Sequence, residues 1–433
     1  MSVCHRIVAL CAGLLSVSLL AGCAAEQPTS SGTARLVSTE DLPEPQPGDV
    51  HLFGFNDLHG HLQPPEGSNG QIAGEAAGGA AYLATHLSRL RAAYPDSAVL
   101  LAGDNFGASP LVSSLFHDEP TVTYLNSLRP AASAVGNHEL DDGVRELTRM
   151  QQGGCALDGC SPGTLFTGAA FPYLAANMTD ADGQLPPGLR PWTMAEVGGH
   201  KIGVIGVVTP ETAQIVFPEG IRGNTFGDPA DAINRHVPEM LGAGAEVIVG
   251  LVHDGGKQQV PDADYNGCAN ITPNVPELAR RTDPAVRVLF TAHSHQSYVC
   301  EFDGKIVTQA ASYGRLITDV TVRFGDAGVD VRAVNRVVTR DVAPDPATVE
   351  LIDFFAAAAA PRAERVVGTA AEPLPKSAAP GSESPLGSLI ADAMLDTTDG
   401  PAQAVAAFMN PGGVRADIGA GPITFGSRSA IRW

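Results

Sequence analysis

One recurrence constrains the fold most: short apolar, β-branched runs that each end in a polar cluster. Val50–Phe55 leads into Asn56-Asp57-Leu58-His59, and Ala98–Ala102 leads into Gly103-Asp104-Asn105. Ala134-Val135 leads into Gly136-Asn137-His138-Glu139. Val247–Val252 leads into His253-Asp254-Gly255, and Val286–Phe290 into Thr291-Ala292-His293-Ser294-His295. Near-continuous apolar runs of this length are expected as strands buried on both faces. Helical patterns separate them. In Ala80–Tyr94 the apolar positions share one side, and His86, Arg89 and Arg91 are expected to face solvent. Strands alternating with helices point to a layered α/β architecture. In such sheets ligands bind beyond the carboxyl ends of the strands, where the polar clusters stand. The sequence has no Walker A loop, no complete G-x-S-x-G elbow and no G-x-G-x-x-G fingerprint.

The clusters have the composition of a two-metal site. They supply Asp57, His59, Asp104, Asn137, His253, His293 and His295. Divalent cations take neutral imidazoles and carboxylate or amide oxygens, and such a set does not distinguish Mn, Zn, Fe or Co. Asp57 and His59 are two apart, so an extended segment points both to one side. His293 and His295 repeat that spacing, and Asp104 could bridge two ions. Seven ligands and a bridging water suit two cations ~3.5–4 Å apart. The remaining histidines, His51, His61, His86, His117, His200 and His236, read as solvated or internally satisfied imidazoles. His200 follows Gly198-Gly199, an expected hairpin turn.

The ordered set D-x-H, G-D-N, G-N-H-E, H and H-x-H resembles the calcineurin-like metallophosphoesterase superfamily. Within it, Asn56-Asp57-Leu58-His59-Gly60-His61 and Gly136-Asn137-His138-Glu139-Leu140-Asp141 resemble the bacterial 5′-nucleotidase family. The resemblance implies a four-layer α/β/β/α metallophosphoesterase domain over residues 49–340. A linker helix over 341–366 and an α/β substrate-binding domain over 367–433 would follow. It also implies that Asp57, His59 and His295 hold one metal, that Asn137, His253 and His293 hold the other, and that Asp104 bridges. His138 would be the catalytic histidine, oriented by Asp141 three residues later on a helical turn. The implied reaction is hydrolysis of a nucleotide 5′-phosphate ester by metal-activated water, with His138 assisting at the leaving oxygen. The alternatives are a 2′,3′-cyclic-nucleotide phosphodiesterase with 3′-nucleotidase activity, a UDP-sugar hydrolase, or a truncated product that binds metal or nucleotide without turnover.

In the last third, Thr348–Phe355 and the alanines after it read as the linking helix, which meets Pro361 before a new unit starts near Val366. Glu383–Met394 resembles a helix of the nucleotidase C-terminal domain, and Phe408–Arg415 resembles its substrate loop. By that resemblance Asn410, Gly412, Gly413 and Arg415 would contact substrate. Lys376 stands where the family often has Arg, which keeps the charge but loses the bidentate fork. After Gly426 the sequence departs from the family. Ser427–Trp433 reads as the shifted frame of a Q-P-F-G-N-P-L coding stretch. The expectation is a second domain cut short by a frameshift, with Leu386, Leu389, Ile390, Met394 and Phe408 lacking partners.

The N-terminus reads as an export segment. Arg6 precedes an apolar run from Ile7 to Leu20, shorter than the ~20 residues that span a bilayer. Leu20-Ala21-Gly22-Cys23 resembles the bacterial lipobox, which implies a signal peptide over 1–23 and a lipid on Cys23. Residues 24–48 read as a Ser/Thr/Pro-rich tether. The expected location is therefore extracytoplasmic and membrane-anchored. Cys155, Cys160, Cys268 and Cys300 remain after the export segment, and four cysteines allow three connectivities. The short Gly-containing loop between Cys155 and Cys160 favours local pairing, which leaves Cys268 with Cys300. Lys and Arg total 27 against 47 Asp and Glu, a net charge of −20 that excludes general binding to nucleic-acid polymers.

Overall fold

Side-chain alternation within the strands settles how the chain is layered. In β1 (Asp49–Phe55), Val50 and Leu52 face one way and Phe53 and Phe55 the other, and all four are almost fully buried. A strand with two apolar faces needs cover on both sides. In the computed structural model a second sheet covers one side and helices cover the other. The structure describes residues 42–426 apart from 164, 327, 379–381, 410–413 and 415.

After β1 come α1 (Ala80–Ala93), β2 (Ser97–Leu101), α2 (Glu119–Leu128), β3 (Ala132–Ala134), α3 (Gly143–Gln152) and β4 (Tyr173–Leu174). A hairpin follows, β5 (Trp192–Val197) and β6 (His200–Val208), turning at Gly198-Gly199 as its sequence predicts. Then come α4 (Pro229–Gly242), β7 (Val247–His253), α5 (Asn274–Arg281) and β8 (Val286–Thr291). Four strands end this part: β9 (Ser297–Phe302), β10 (Lys305–Ala310), β11 (Leu316–Gly325) and β12 (Gly328–Val337).

The first sheet has the order β12-β11-β1-β2-β3-β4 and the second β9-β10-β8-β7-β6-β5. In the first, β1, β2, β3 and β4 run parallel; in the second, β6, β7, β8 and β10 do. Leu52, Leu100, Val204, Val249, Val288 and Phe290 interdigitate between the sheets. At Gly54 the sheets approach so closely that a Cβ would lie 2.3 Å from Phe290 Cε1. Helices α1, α2, α3 and α6 (Pro346–Ala363) cover the outer face of the first sheet, and α4 and α5 that of the second. The architecture is therefore the four-layer α/β/β/α arrangement, and the carboxyl ends of β1, β2, β3, β7 and β8 deliver the five polar clusters.

Several expectations need correction. His86 is buried rather than solvent-facing, because its Nε2 meets the Thr339 carbonyl at 3.0 Å under α1. Arg91 is half-buried and donates to the Leu128 carbonyl, so of the three α1 residues Arg89 alone is exposed. Helix α6 (Pro346–Ala363) lies within the expected linker and takes Pro361 into its last turn. Asp345 caps its start by accepting the Thr348 N–H, and Ile352, Phe355 and Ala359 dock it onto the first domain. Beyond it, β13 (Val366–Ala370) pairs with β14 (Gly421–Thr424), and α7 (Pro385–Ala402) starts at a Ser384 cap. Leu386 and Ile390 do find partners, packing with Val414 and Ile418, and Met394 packs against that cluster. Leu389 and Phe408 are exposed, as expected.

Cys155 pairs with Cys160 and Cys268 with Cys300. Among the described residues no helix is long and apolar enough to cross a membrane. Cys23, the expected lipidation site, lies outside the described residues, as do Asn410, Gly412, Gly413 and Arg415.

The contact at Gly54 gives a test of the layering. Gly54→Val forces Phe290 out of the inter-sheet core and should destabilise the protein by about 1–3 kcal/mol. Thermal unfolding followed by circular dichroism checks this, and an unchanged or raised Tm contradicts it.

Candidate metal centre

The strand ends do not run on as extended chain. Asp57, His59, Asp104, His293 and His295 all have positive φ, between 48° and 69°. For residues with a Cβ this left-handed conformation costs of order 1 kcal/mol or more each and persists only where surrounding structure enforces it. The expectation that Asp57 and His59 share a side of an extended segment is therefore corrected. The backbone turns sharply after β1, and the two side chains converge through that turn. His293 and His295 turn likewise after β8 and join two different groups of side chains.

In the first group His59 Nε2 lies 3.0 Å from His295 Nε2 and 3.9 Å from Asp57 Oδ1, and His295 Nε2 lies 3.5 Å from Asp57 Oδ1. In the second, His253 Nε2 lies 3.0 Å from Asp104 Oδ2 and 3.2 Å from Asn137 Oδ1, with His293 completing the set. Asp104 belongs to both neighbourhoods, because its Oδ2 is also 3.7 Å from His59 Nε2. The Gly136 backbone packs so tightly beside it that a Cβ there would be 2.2 Å from Asp104 Oδ1.

In two of these rings the second nitrogen is held by a backbone carbonyl. His59 Nδ1 donates to the Gly107 carbonyl at 3.0 Å, and burial pushes its pKa well below the ordinary histidine value. The neutral ring therefore aims a bare Nε2 lone pair at His295, Asp57 and Asp104. His253 Nδ1 donates to the Ala102 carbonyl at 2.9 Å, so its Nε2 faces two oxygen acceptors. Converging acceptors need a positive charge among them. In the metal-free state that charge is a proton. Burial opposes it on His253, but the Asp104 carboxylate prevails and lifts the ring to about 10. Burial also opposes ionisation of Asp104, yet the imidazoles around it hold it well below the carboxylate range. Burial pushes Asp57 up to about 7, with the His253 charge working against it. These nitrogen and oxygen donors fit divalent cations.

His138 sits edge-on to His59, ring centroids 4.9 Å apart, on the helical turn after Asn137. Its Nδ1 meets Asp141 Oδ2 at 2.8 Å, and its backbone N–H donates to Asp104 Oδ1. Burial lowers its affinity for a proton, but Asp104 and Asp141 outweigh burial and raise its pKa to about 9. Lys376 is half-buried, and its backbone N–H donates to Asp417.

Sequence reasoning passed over three residues here. Buried Glu139 accepts the backbone N–H groups of Asp104, Asn105 and Gly136 at 2.7–2.8 Å, so one carboxylate pins two strand-end loops together. Asn56 donates to Asp57 and to the Ala311 carbonyl. Tyr313 brings its ring within 6.1 Å of His59 and 5.5 Å of His295. Glu139 and Asn56 lie inside the quoted motifs, so a signal existed; Tyr313 follows no motif.

The calcineurin-like phosphoesterase family matches residues 48–297, and the 5′-nucleotidase C-terminal domain family matches 366–429. Endonuclease YhcR of Bacillus subtilis is 34% identical over 388 residues, covering 87% of this chain and 30% of that protein. Cell wall protein Lmo0130 of Listeria monocytogenes is 29% identical, covering 93% of this chain and 54% of its own. The chain thus spans between about a third and about half the length of these two relatives. The crystal structure of a 5′-nucleotidase precursor from Thermus thermophilus superposes with a TM-score of 0.68 at 26% identity. That alignment covers 88% of this chain and 73% of the other.

Two outcomes follow from the site. Since His253 holds a proton below about pH 10, loading with Mn should release protons and weaken as pH falls. Calorimetric titration in buffers of different ionisation enthalpy measures this, and zero proton release contradicts it. Glu139→Gln places an amide among three backbone donors and should lower Mn affinity ~10–100-fold. Equilibrium dialysis reads that change, and wild-type affinity would refute the pinning role.

Proposed function

The chain belongs to the calcineurin-like phosphoesterase family, and from that premise we propose that it is a dimetal phosphoesterase acting on nucleotide phosphate esters. The observation that carries this reading is the convergence of acceptor atoms on Asp104 from both sides. Asp57, His59 and His295 would hold one cation, Asn137, His253 and His293 the other, and Asp104 would serve both. Bound there, divalent cations supply Lewis acidity toward a phosphoryl oxygen and make a water acidic enough to act as nucleophile near neutral pH.

The chain's own groups do the rest. Glu139 and the tight packing at Gly136 fix where the Asp104 oxygens point. The Asp141 carboxylate holds Nδ1 of His138 and stabilises its charged form, leaving Nε2–H to donate to a phosphoryl or leaving oxygen. Lys376 and the Phe408–Arg415 stretch would bind substrate. Cleavage of 5′-monophosphates is the first reading. Phosphodiesters are the second, because a relative covering 87% of this chain is named an endonuclease. The two disulfides and the likeness to a named cell wall protein support a site of action outside the cytoplasm, with a lipid on Cys23 as the anchor.

Phosphate release from AMP, a 2′,3′-cyclic nucleotide and an aryl phosphate, with Mn or Zn added, tests the reading. His138→Ala should lower kcat ~10²–10⁴-fold while bound metal stays unchanged. Undiminished turnover in that variant, or no release by the loaded wild type, would overturn it.

A further inference from the structure

A single peptide unit touches two parts of the site. The Gly107 carbonyl accepts Nδ1–H of His59 at 3.0 Å. The N–H of Ala108 belongs to the same planar amide and donates to Asp141 Oδ2 at 3.2 Å. With that same oxygen Asp141 holds Nδ1 of His138 at 2.8 Å. Turning this amide would therefore release His59 and the partner of His138 together. The residue that carries its carbonyl is glycine, with φ at 80°, so the backbone has little stiffness of its own. Close approach imposes that glycine, because a Cβ there would lie 2.3 Å from the His138 carbonyl oxygen. The amide has to be held from outside.

Asp118 holds it. Its Oδ2 accepts the Gly107 N–H at 3.2 Å. Its Oδ1 accepts the Ser113 hydroxyl at 2.6 Å, and Thr121 Oγ1 lies 2.6 Å from Ser113 Oγ. Both buried hydroxyls thus direct their protons toward the carboxylate. An aspartate immediately before α2 would ordinarily be read as a helix cap. This one makes no capping hydrogen bond with its side chain. His117 and Asp118 also stand on left-handed backbone, with φ of 53° and 58°. Such backbone favours glycine, so a carboxylate is kept there against the local preference. Glu139 pins the start of the loop at Asp104 and Asn105, and Asp118 pins its far end.

We infer that Asp118 is a positioning residue: through the Gly107 N–H it fixes the amide that aligns His59 with the His138–Asp141 pair. This deepens the phosphoesterase reading and rests on it for the roles of those three residues. Asp118 acts through the loop backbone, so its loss weakens metal binding and turnover while the fold stays intact.

Two variants separate positioning from stability. Asp118→Gly removes the carboxylate and suits the left-handed backbone. Asp118→Asn tolerates the same backbone and keeps an acceptor oxygen for the Gly107 N–H. In Asp118→Gly the Mn Kd, read by equilibrium dialysis, should rise about ten-fold. At saturating Mn its kcat for AMP should fall about ten-fold with KM unchanged, and its Tm should match the wild type. Asp118→Asn should recover most of both losses. Wild-type Mn affinity and kcat in Asp118→Gly overturn the assignment. Equal impairment in the two variants, or losses that come with a lowered Tm in both, overturn it as well. A wild type that hydrolyses no phosphate ester refutes the phosphoesterase reading instead, and the Mn affinities then decide the role of Asp118 alone.

Discussion

One electrostatic constraint organises the site: carboxylate, amide and imidazole acceptors converge on Asp104, and positive charge must sit among them. Two imidazoles have their proton committed to a backbone carbonyl, His59 to Gly107 and His253 to Ala102. Their other nitrogens point at carboxylate and amide oxygens. Within a buried site such repulsion is severe unless a cation joins it. Protons fill that role in the metal-free protein, and divalent cations fit the same donors.

The fold makes this arrangement affordable by fixing the strand ends. Two sheets, each with four parallel strands, pack through Leu52, Leu100, Val249 and Val288, and this brings the ends of β1, β2, β3, β7 and β8 to one edge. The loops beyond them carry strained non-glycine residues, among them Asp57, His59, Asp104, His293 and His295. Backbone donors gathered by Glu139 and the Asn56 contacts with Asp57, Ala310 and Ala311 hold that strain in place. The ligand loops are thus anchored twice, by the sheets below and by buried side chains between them.

Much of this was legible in the sequence because apolar run and polar cluster are both local signals. The strands and their order along the chain follow from burial on two faces, and the layered arrangement follows from the alternation with helices. Local pattern could not show that the Asp57–His59 turn is left-handed, since the strain is imposed by distant contacts. It could not show that His86 is buried, because α6 and the Thr339 segment arrive from more than 250 residues away. His61 and Tyr313 are 252 positions apart, and their stacking exists only after folding. The linking helix was legible too, because Pro361 falls in the last turn of a helix otherwise built of good helix formers.

The most direct measurement is the metal content of the loaded chain, taken by mass spectrometry after gel filtration, for wild type and for Asp104→Asn. The account predicts two divalent ions per chain in the wild type and one or none in Asp104→Asn, because that carboxylate faces both groups of ligands. Equal content in the two proteins, or a wild type that retains no ion, would contradict it.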